Sequence, residues 1–227
     1  MYHFLLPSLC LLCGFPTKNA YNLCEACQKN LPILPHHCLQ CGQILAGQPM
    51  NIKCGACLTN PPPFRQIYAL FQYQTPIMQM ITRLKFQERL DYAQAFSELL
   101  RERVLHHWYH KKPLPQVLLP VPLHPKRLRE RGYNQALEIA RGLADLIPID
   151  VTGIKRVKNT QPQTQLSALK RKQNIAQAFV SSCDYTGRSI AVIDDVITTG
   201  QTVLELCRVL KKNGADNIDV WCCARRT

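Results

Sequence analysis

The densest chemistry in the chain lies in the run from Ile190 to Thr202, which reads Ile-Ala-Val-Ile-Asp-Asp-Val-Ile-Thr-Thr-Gly-Gln-Thr. Four apolar residues predict a buried strand. Asp194 and Asp195 follow at its carboxyl end, the edge at which open α/β sheets bind ligands. Val196 and Ile197 lead into Thr198, Thr199, Gly200, Gln201 and Thr202, a hydroxyl-rich turn that opens a helix. Gly200 lets the backbone approach a ligand closely. The free N–H groups and positive dipole end of a helix start suit a phosphate. Adjacent carboxylates beside such a nest suit a sugar phosphate, with the acids on ribose hydroxyls and the nest on a 5′-phosphate. The run is no Walker loop, because the lysine of that motif is absent.

A different chemistry occupies the other end. Eight cysteines form four Cys-x-x-Cys pairs: Cys10/Cys13, Cys24/Cys27, Cys38/Cys41 and Cys54/Cys57. Two thiolates on a tight turn can face one ion, and zinc takes four in a tetrahedron. One pair would fit a redox dithiol equally well. Four pairs, with Cys-Leu-Leu-Cys-Gly at 10–14 repeated as Cys-Leu-Gln-Cys-Gly at 38–42, predict two stacked zinc knuckles too small to fold without metal. Sequential ligand sets (10, 13, 24, 27 and 38, 41, 54, 57) are expected, with a cross-braced pairing as the alternative. His36 and His37 are expected at the surface. Cys183, Cys207, Cys222 and Cys223 sit in apolar stretches and are expected as buried thiols. This usage fits a reducing, cytoplasmic setting.

The elements that must position these groups follow from the rest of the sequence. The 227 residues are 46% hydrophobic and 19% charged, which excludes a disordered or fibrous chain. No run of about 20 apolar residues exists, so no membrane insertion is expected. The apolar start lacks a basic leader region and runs into cysteine pairs, so it reads as mature protein. Asn60 and three prolines mark a boundary between a zinc module over 1–60 and a larger domain over 61–227. Beyond it, Ile67 to Tyr73 reads as a strand. Thr75 and Pro76 read as an N-cap and first helical residue, opening one helical stretch from Ile77 to about His107. Further strands are expected at 117–121, 189–197 and 218–223, and helices at 133–147 and 201–212. Strands alternating with helices imply an α/β fold with a mostly parallel sheet covered on both faces.

The Ile190–Thr202 run resembles the phosphoribosyl-pyrophosphate (PRPP) motif of type I phosphoribosyltransferases. Leu119 to Arg127, continuing through Arg131-Gly132-Tyr133-Asn134-Gln135, is similar to the signature of the ComF family. So are Arg156 to Thr160, Gln165, Leu166, Arg171, Asn174 and Ala178-Phe179, and the cysteine module ahead of them. The resemblance implies a type I phosphoribosyltransferase-like sheet preceded by a zinc module, and a link to DNA uptake in natural transformation. It implies that Asp194 and Asp195 hold the ribose hydroxyls, as catalytic residues if turnover occurs, and that residues 196–202 cradle the 5′-phosphate. Lys126 and Arg127 would face the pyrophosphate, with magnesium bridging it to the ribose. Arg156, Thr160, Gln165, Arg171 and Asn174 would belong to a mobile loop. One departure concerns the turn after the first helix: the family often has Lys-Tyr-x-Gly, and here Lys85-Phe86-Gln87-Glu88 has no glycine.

Charge points to a second partner. Lys and Arg number 28 against 15 Asp and Glu, a net +13. That surplus calls for a polyanion: nucleic acid, phosphorylated substrate or membrane surface. Eleven cations fall between Lys126 and Lys172 against four acids, a local +7. Charge alone does not choose among these polyanions. The resemblance implies PRPP and single-stranded DNA as partners, the latter held by Arg131, Lys170, Arg171 and Lys172 of this basic stretch, with other DNA-uptake proteins as further candidates. Tyr133 and Tyr185 are candidates for base stacking. A nucleobase salvage phosphoribosyltransferase, and a PRPP-responsive nucleic-acid-binding regulator without turnover, remain as alternatives.

Overall fold

The computed structural model describes residues 8–19, 21–45, 47, 52–159 and 175–226. The chain opens with two cysteine ribbons. A short hairpin of β1 (Ser8–Leu9) and β2 (Pro16–Thr17) precedes α1 (Glu25–Lys29), and α2 (Gly55–Thr59) closes the second ribbon. Then follow β3 (Gln66–Gln72), α3 (Ile77–Phe86), α4 (Asp91–Arg103), a π turn over Val104–Trp108, and β4 (Val117–Pro120). The signature region supplies α5 (Pro125–Arg131) and α6 (Gln135–Arg141). An antiparallel pair, β5 (Ile154–Arg156) and β6 (Phe179–Ser181), leads to β7 (Ser189–Ile197), α7 (Gln201–Lys212) and β8 (Asn217–Arg225).

The central sheet is four-stranded and parallel throughout, in the order β3-β8-β7-β4. Its strands alternate between two buried faces, as the two-residue period of a pleated strand requires. On β8, Ile218, Val220 and Cys222 pack with Val203, Leu206, Cys207 and Leu210 of α7. Those four helical residues recur at i, i+3, i+4 and i+7, one apolar stripe. Trp221 and Cys223 face the other way, into a core with Ile77, Met80, Ile81 and Leu84 of α3 and Phe96 and Leu100 of α4. Asp219 is also buried on β8, and its carboxylate accepts from the Arg65 guanidinium and the Tyr109 hydroxyl.

The cysteine ribbons are part of this packing. Leu23, Leu31 and Cys10 belong to the same core as Tyr92 and Phe71. The outer edge of β3 takes Ile33 into an antiparallel bridge with Phe71, and Gln72 N–H donates to Pro32 O at 2.8 Å. Ile67 N–H likewise donates to Gln40 O at 2.8 Å. An edge strand that would otherwise expose unpaired backbone groups is thereby covered.

Several expected elements differ. The single helix over 77–107 is two helices and a π turn, broken at Gln87–Leu90, where Glu88 takes φ +53°. Pro76 rather than Thr75 is the N-cap of α3, following a cis Thr75–Pro76 bond. The helix expected over 133–147 ends at Arg141 and continues as turns. Cys207, Cys222 and Cys223 are buried, whereas Cys183 is exposed, in the turn beyond β6.

Candidate functional site

Asp194 and Asp195 lie near the carboxyl end of β7, whose alternation sends them to opposite faces of the sheet. Asp195 is 6% exposed and lies on the α3 side, where Lys85 Nζ meets its Oδ2 at 2.6 Å. Asp194 lies on the side of β5, within electrostatic reach of Arg156. Burial, reinforced by the neighbouring charge of Asp195, pushes the Asp194 carboxyl up to about 8, with Lys85 opposing. For Lys85 burial is outweighed by the charges of Asp195 and Asp194, and its ammonium is held up. Arg156 is pushed down to about 10 by burial and then by Arg127, with Asp194 opposing. Arg127 is lowered by burial and by Arg131. Four cations, Lys85, Arg127, Arg131 and Arg156, thus share one field with two carboxylates, an environment set up for a multiply charged anion.

The turn after β7 forms a small hollow lined by Asp194 and residues 196–203. Thr198 and Thr199 are exposed within it. Gly200 takes φ +75° and caps α7. A Cβ there would meet only Ile197 Cγ2 at 3.8 Å, so the left-handed backbone rather than crowding calls for glycine. Arg225, buried at the end of β8, holds this turn from behind. Its guanidinium donates to Ile197 O at 3.0 Å and to Thr198 O, while Nε donates to Cys41 O at 3.1 Å. One side chain therefore joins the turn after β7 to the second cysteine cluster.

The signature region is a set of helix caps. Pro125 opens α5, and His124 Nδ1 accepts from Lys126 N–H at 3.2 Å. Gly132 closes it at φ +82°. Asn134 caps α6 by accepting from Ala136 N–H at 3.1 Å and donates to Val121 O at 3.0 Å. This ties α5 to the end of β4 and presents Lys126 and Arg129 to solvent, with Arg127 and Arg131 half-buried. Arg156 ends β5 and is buried over Phe179. Of the other residues expected in a mobile loop or a nucleic-acid surface, Thr160, Gln165, Lys170, Arg171, Lys172 and Asn174 lie outside the described residues.

The eight paired cysteines gather as Cys10, Cys13, Cys24, Cys27 and as Cys38, Cys41, Cys54, Cys57, the sulfurs of each set within 4.8 Å of one another. Cys13 and Cys24 sulfurs are 3.6 Å apart, and Cys41 and Cys54 are 3.7 Å apart. A tetrahedron with zinc–sulfur bonds of about 2.3 Å has edges of about 3.8 Å, so both sets fit zinc. Cys38 Sγ accepts from Gln40 N–H at 3.4 Å and Cys54 N–H at 3.2 Å. Burial pushes the Cys10 and Cys38 thiols up, but converging backbone N–H groups outweigh it and bring both to about 6. His36 is exposed and His37 half-buried on Pro35 O.

Two site residues escaped the sequence reading. Lys85 falls on the stripe Ile77, Ile81, Lys85, a charge on the buried face of an apolar helix, and that misfit was the available signal. Arg225 gave none, being one basic residue in a C-terminal strand.

Comparison with known proteins bears on both halves. Residues 1–58 match the family model of a double zinc ribbon domain, and residues 130–227 that of a phosphoribosyl transferase domain. DNA utilization protein YhgH of Salmonella typhi is 35% identical over 97% of this chain and 98% of its own length. Competence protein F of Haemophilus influenzae is 36% identical, covering 95% and 96%. Competence protein ComFC of Bacillus subtilis is 25% identical, covering 91% and 90%. Among solved structures, a purine phosphoribosyltransferase from Pyrococcus horikoshii is 20% identical over 70% of this chain and 78% of that one, with a TM-score of 0.33.

Proposed function

The chain belongs to the ComF family of competence and DNA utilization proteins, and from that premise we propose that it binds PRPP with magnesium and handles single-stranded DNA beside that site. The observation that carries the first half is the carboxylate pair at the end of β7, set between Lys85, Arg127, Arg131 and Arg156 and followed by the hydroxyl-rich turn into α7. The carboxylates take the ribose hydroxyls. Thr198, Thr199, Thr202 and the N–H groups around Gly200 take the 5′-phosphate. Lys126 and Arg127 face the pyrophosphate, helped by Lys85 and Arg156. Magnesium bound together with PRPP beside Asp194 and Asp195 would supply further charge neutralisation.

This distribution of charge suits breakage of the bond from C1′ to pyrophosphate. Positive charge grows on the ribose ring near the acids, and negative charge grows on the leaving group near the cations. In thermal melts PRPP with magnesium should raise the transition temperature, since a ligand of the native state stabilises by mass action. Asp194→Asn combined with Asp195→Asn should remove that rise while leaving zinc content unchanged. A rise that persists in the double variant would refute the assignment.

The DNA half rests on charge. Lys126, Arg129, Lys155 and Lys158 are exposed around the site. Non-specific binding of a single strand releases counterions, so log affinity should fall linearly with log salt by about 0.7 for each phosphate neutralised. Replacing Arg129 and Lys155 with Ala should flatten that slope by up to about 1.4 if both touch phosphates. Salt-independent binding of labelled oligo-dT would contradict this half.

A further inference from the structure

Two aromatic rings among the described residues are strongly exposed, Phe15 in the first cysteine ribbon and Phe86 at the end of α3. Phe86 is 71% exposed, and the Arg131 guanidinium lies over its ring at 5.5 Å from the centroid. Its sequence neighbour Lys85 reaches Asp195, so the ring stands at the rim of the carboxylate site. Leu128, 42% exposed, adds apolar surface on the same basic helix.

The tyrosines that sequence offered for stacking are engaged elsewhere. The Tyr133 hydroxyl donates to Leu84 O, and Tyr185 is buried with its hydroxyl on Asp150 at 2.5 Å. Three cations of α5, the helix that carries Arg131, are in contrast not tied to acids: among the described residues no ion pair joins Lys126, Arg129 or Arg131 to a carboxylate. An open ring with a guanidinium over it, beside unpaired cations, matches the two needs of a nucleic-acid strand: a flat face for a base and positive charge for the flanking phosphates.

We propose that Phe86 and Arg131 form a stacking platform for a base of single-stranded DNA at the rim of the Asp194–Asp195 site. This rests on the reading of single-stranded DNA as a partner and names the residues that hold it. The platform places a base next to the ribose-phosphate site, so strand and PRPP would lie side by side. Stacking is tolerant of sequence because every base has a π face, so the platform accepts any base.

The test uses fluorescence anisotropy with the full-length, zinc-loaded protein and labelled oligo-dT, intact or with abasic residues. Phe86→Ala should weaken binding of intact oligo-dT by roughly five- to a hundred-fold, the loss of about one stacked base. The salt slope should not change, because no phosphate contact is removed. Phe86→Trp should keep wild-type affinity. Binding of the abasic strand should respond little to Phe86→Ala. Unchanged melting and zinc content would show that the variant folds, as expected for so exposed a side chain. Wild-type binding with full affinity retained in Phe86→Ala would overturn the platform alone. No binding of oligo-dT by the wild type at low salt would overturn both the platform and the DNA reading beneath it.

Discussion

Asp194 is held where its own charge is disfavoured, by burial and by the adjacent Asp195. Its carboxyl binds a proton more tightly in the folded state than in the unfolded chain, so its contribution to stability is fullest at low pH. That contribution is lost as pH rises from about 4 towards about 8. Asp194→Asn removes the penalty. In the ligand-free, zinc-loaded protein the variant should melt above the wild type at pH 8.5, by about 2–4 °C for each kcal/mol relieved, and the gap should shrink as pH falls to 6. Equal melting of the two proteins across that range would contradict the description. If Asp194 holds the ligand as proposed, stability given up at this carboxylate is the trade expected of a functional site. Lys85 shows how such a site is partly legible. The sequence marks a lysine on an apolar stripe, but only the packing of α3 against β7 reveals that it meets Asp195.

At the scale of elements, β7 and α7 match their expected ranges because each carries an unambiguous pattern: an apolar run ended by acids, then a glycine before an apolar stripe at helical spacing. The break between α3 and α4 was illegible for the opposite reason. Gln87, Glu88, Arg89 and Leu90 are all good helix formers, with no glycine or proline to interrupt them. Tertiary packing imposes the turn instead. Arg83 reaches the Tyr92 hydroxyl at 2.8 Å across it, and Glu88 adopts a left-handed backbone that favours glycine. Glu88→Gly should therefore stabilise the protein by up to about 1 kcal/mol in urea unfolding. A loss of stability there would mean that the Glu88 side chain supports the turn. The β5–β6 pair was missed because three-residue strands carry too few side chains to show a period. The signature run offered residue types without geometry. Its His124, Gly132 and Asn134 are caps, and what they accomplish is to aim the cations of α5.

Across the whole molecule, the cysteine ribbons and the sheet are mechanically joined. The ribbons cover the β3 edge, and Arg225 bridges Cys41 O to the backbone of the Ile197–Thr198 turn. Structural zinc supplies folding free energy outright in modules this small. Chelation of both zinc ions should consequently lower the melting temperature of the entire chain, by more than unfolding of residues 1–60 alone would require. Chelation should also weaken PRPP binding through the loosened turn. Two independent transitions, the larger insensitive to chelator, would contradict that coupling. Arg225→Ala should likewise weaken PRPP binding several-fold at full zinc occupancy, read by thermal shift. The most direct test of the central claim is calorimetric titration of PRPP into zinc-loaded protein, with and without magnesium. One saturable site per chain is predicted, strengthened by magnesium and absent from the Asp194→Asn, Asp195→Asn protein. Absence of binding to the wild type, or binding of equal strength to the double variant, would contradict it.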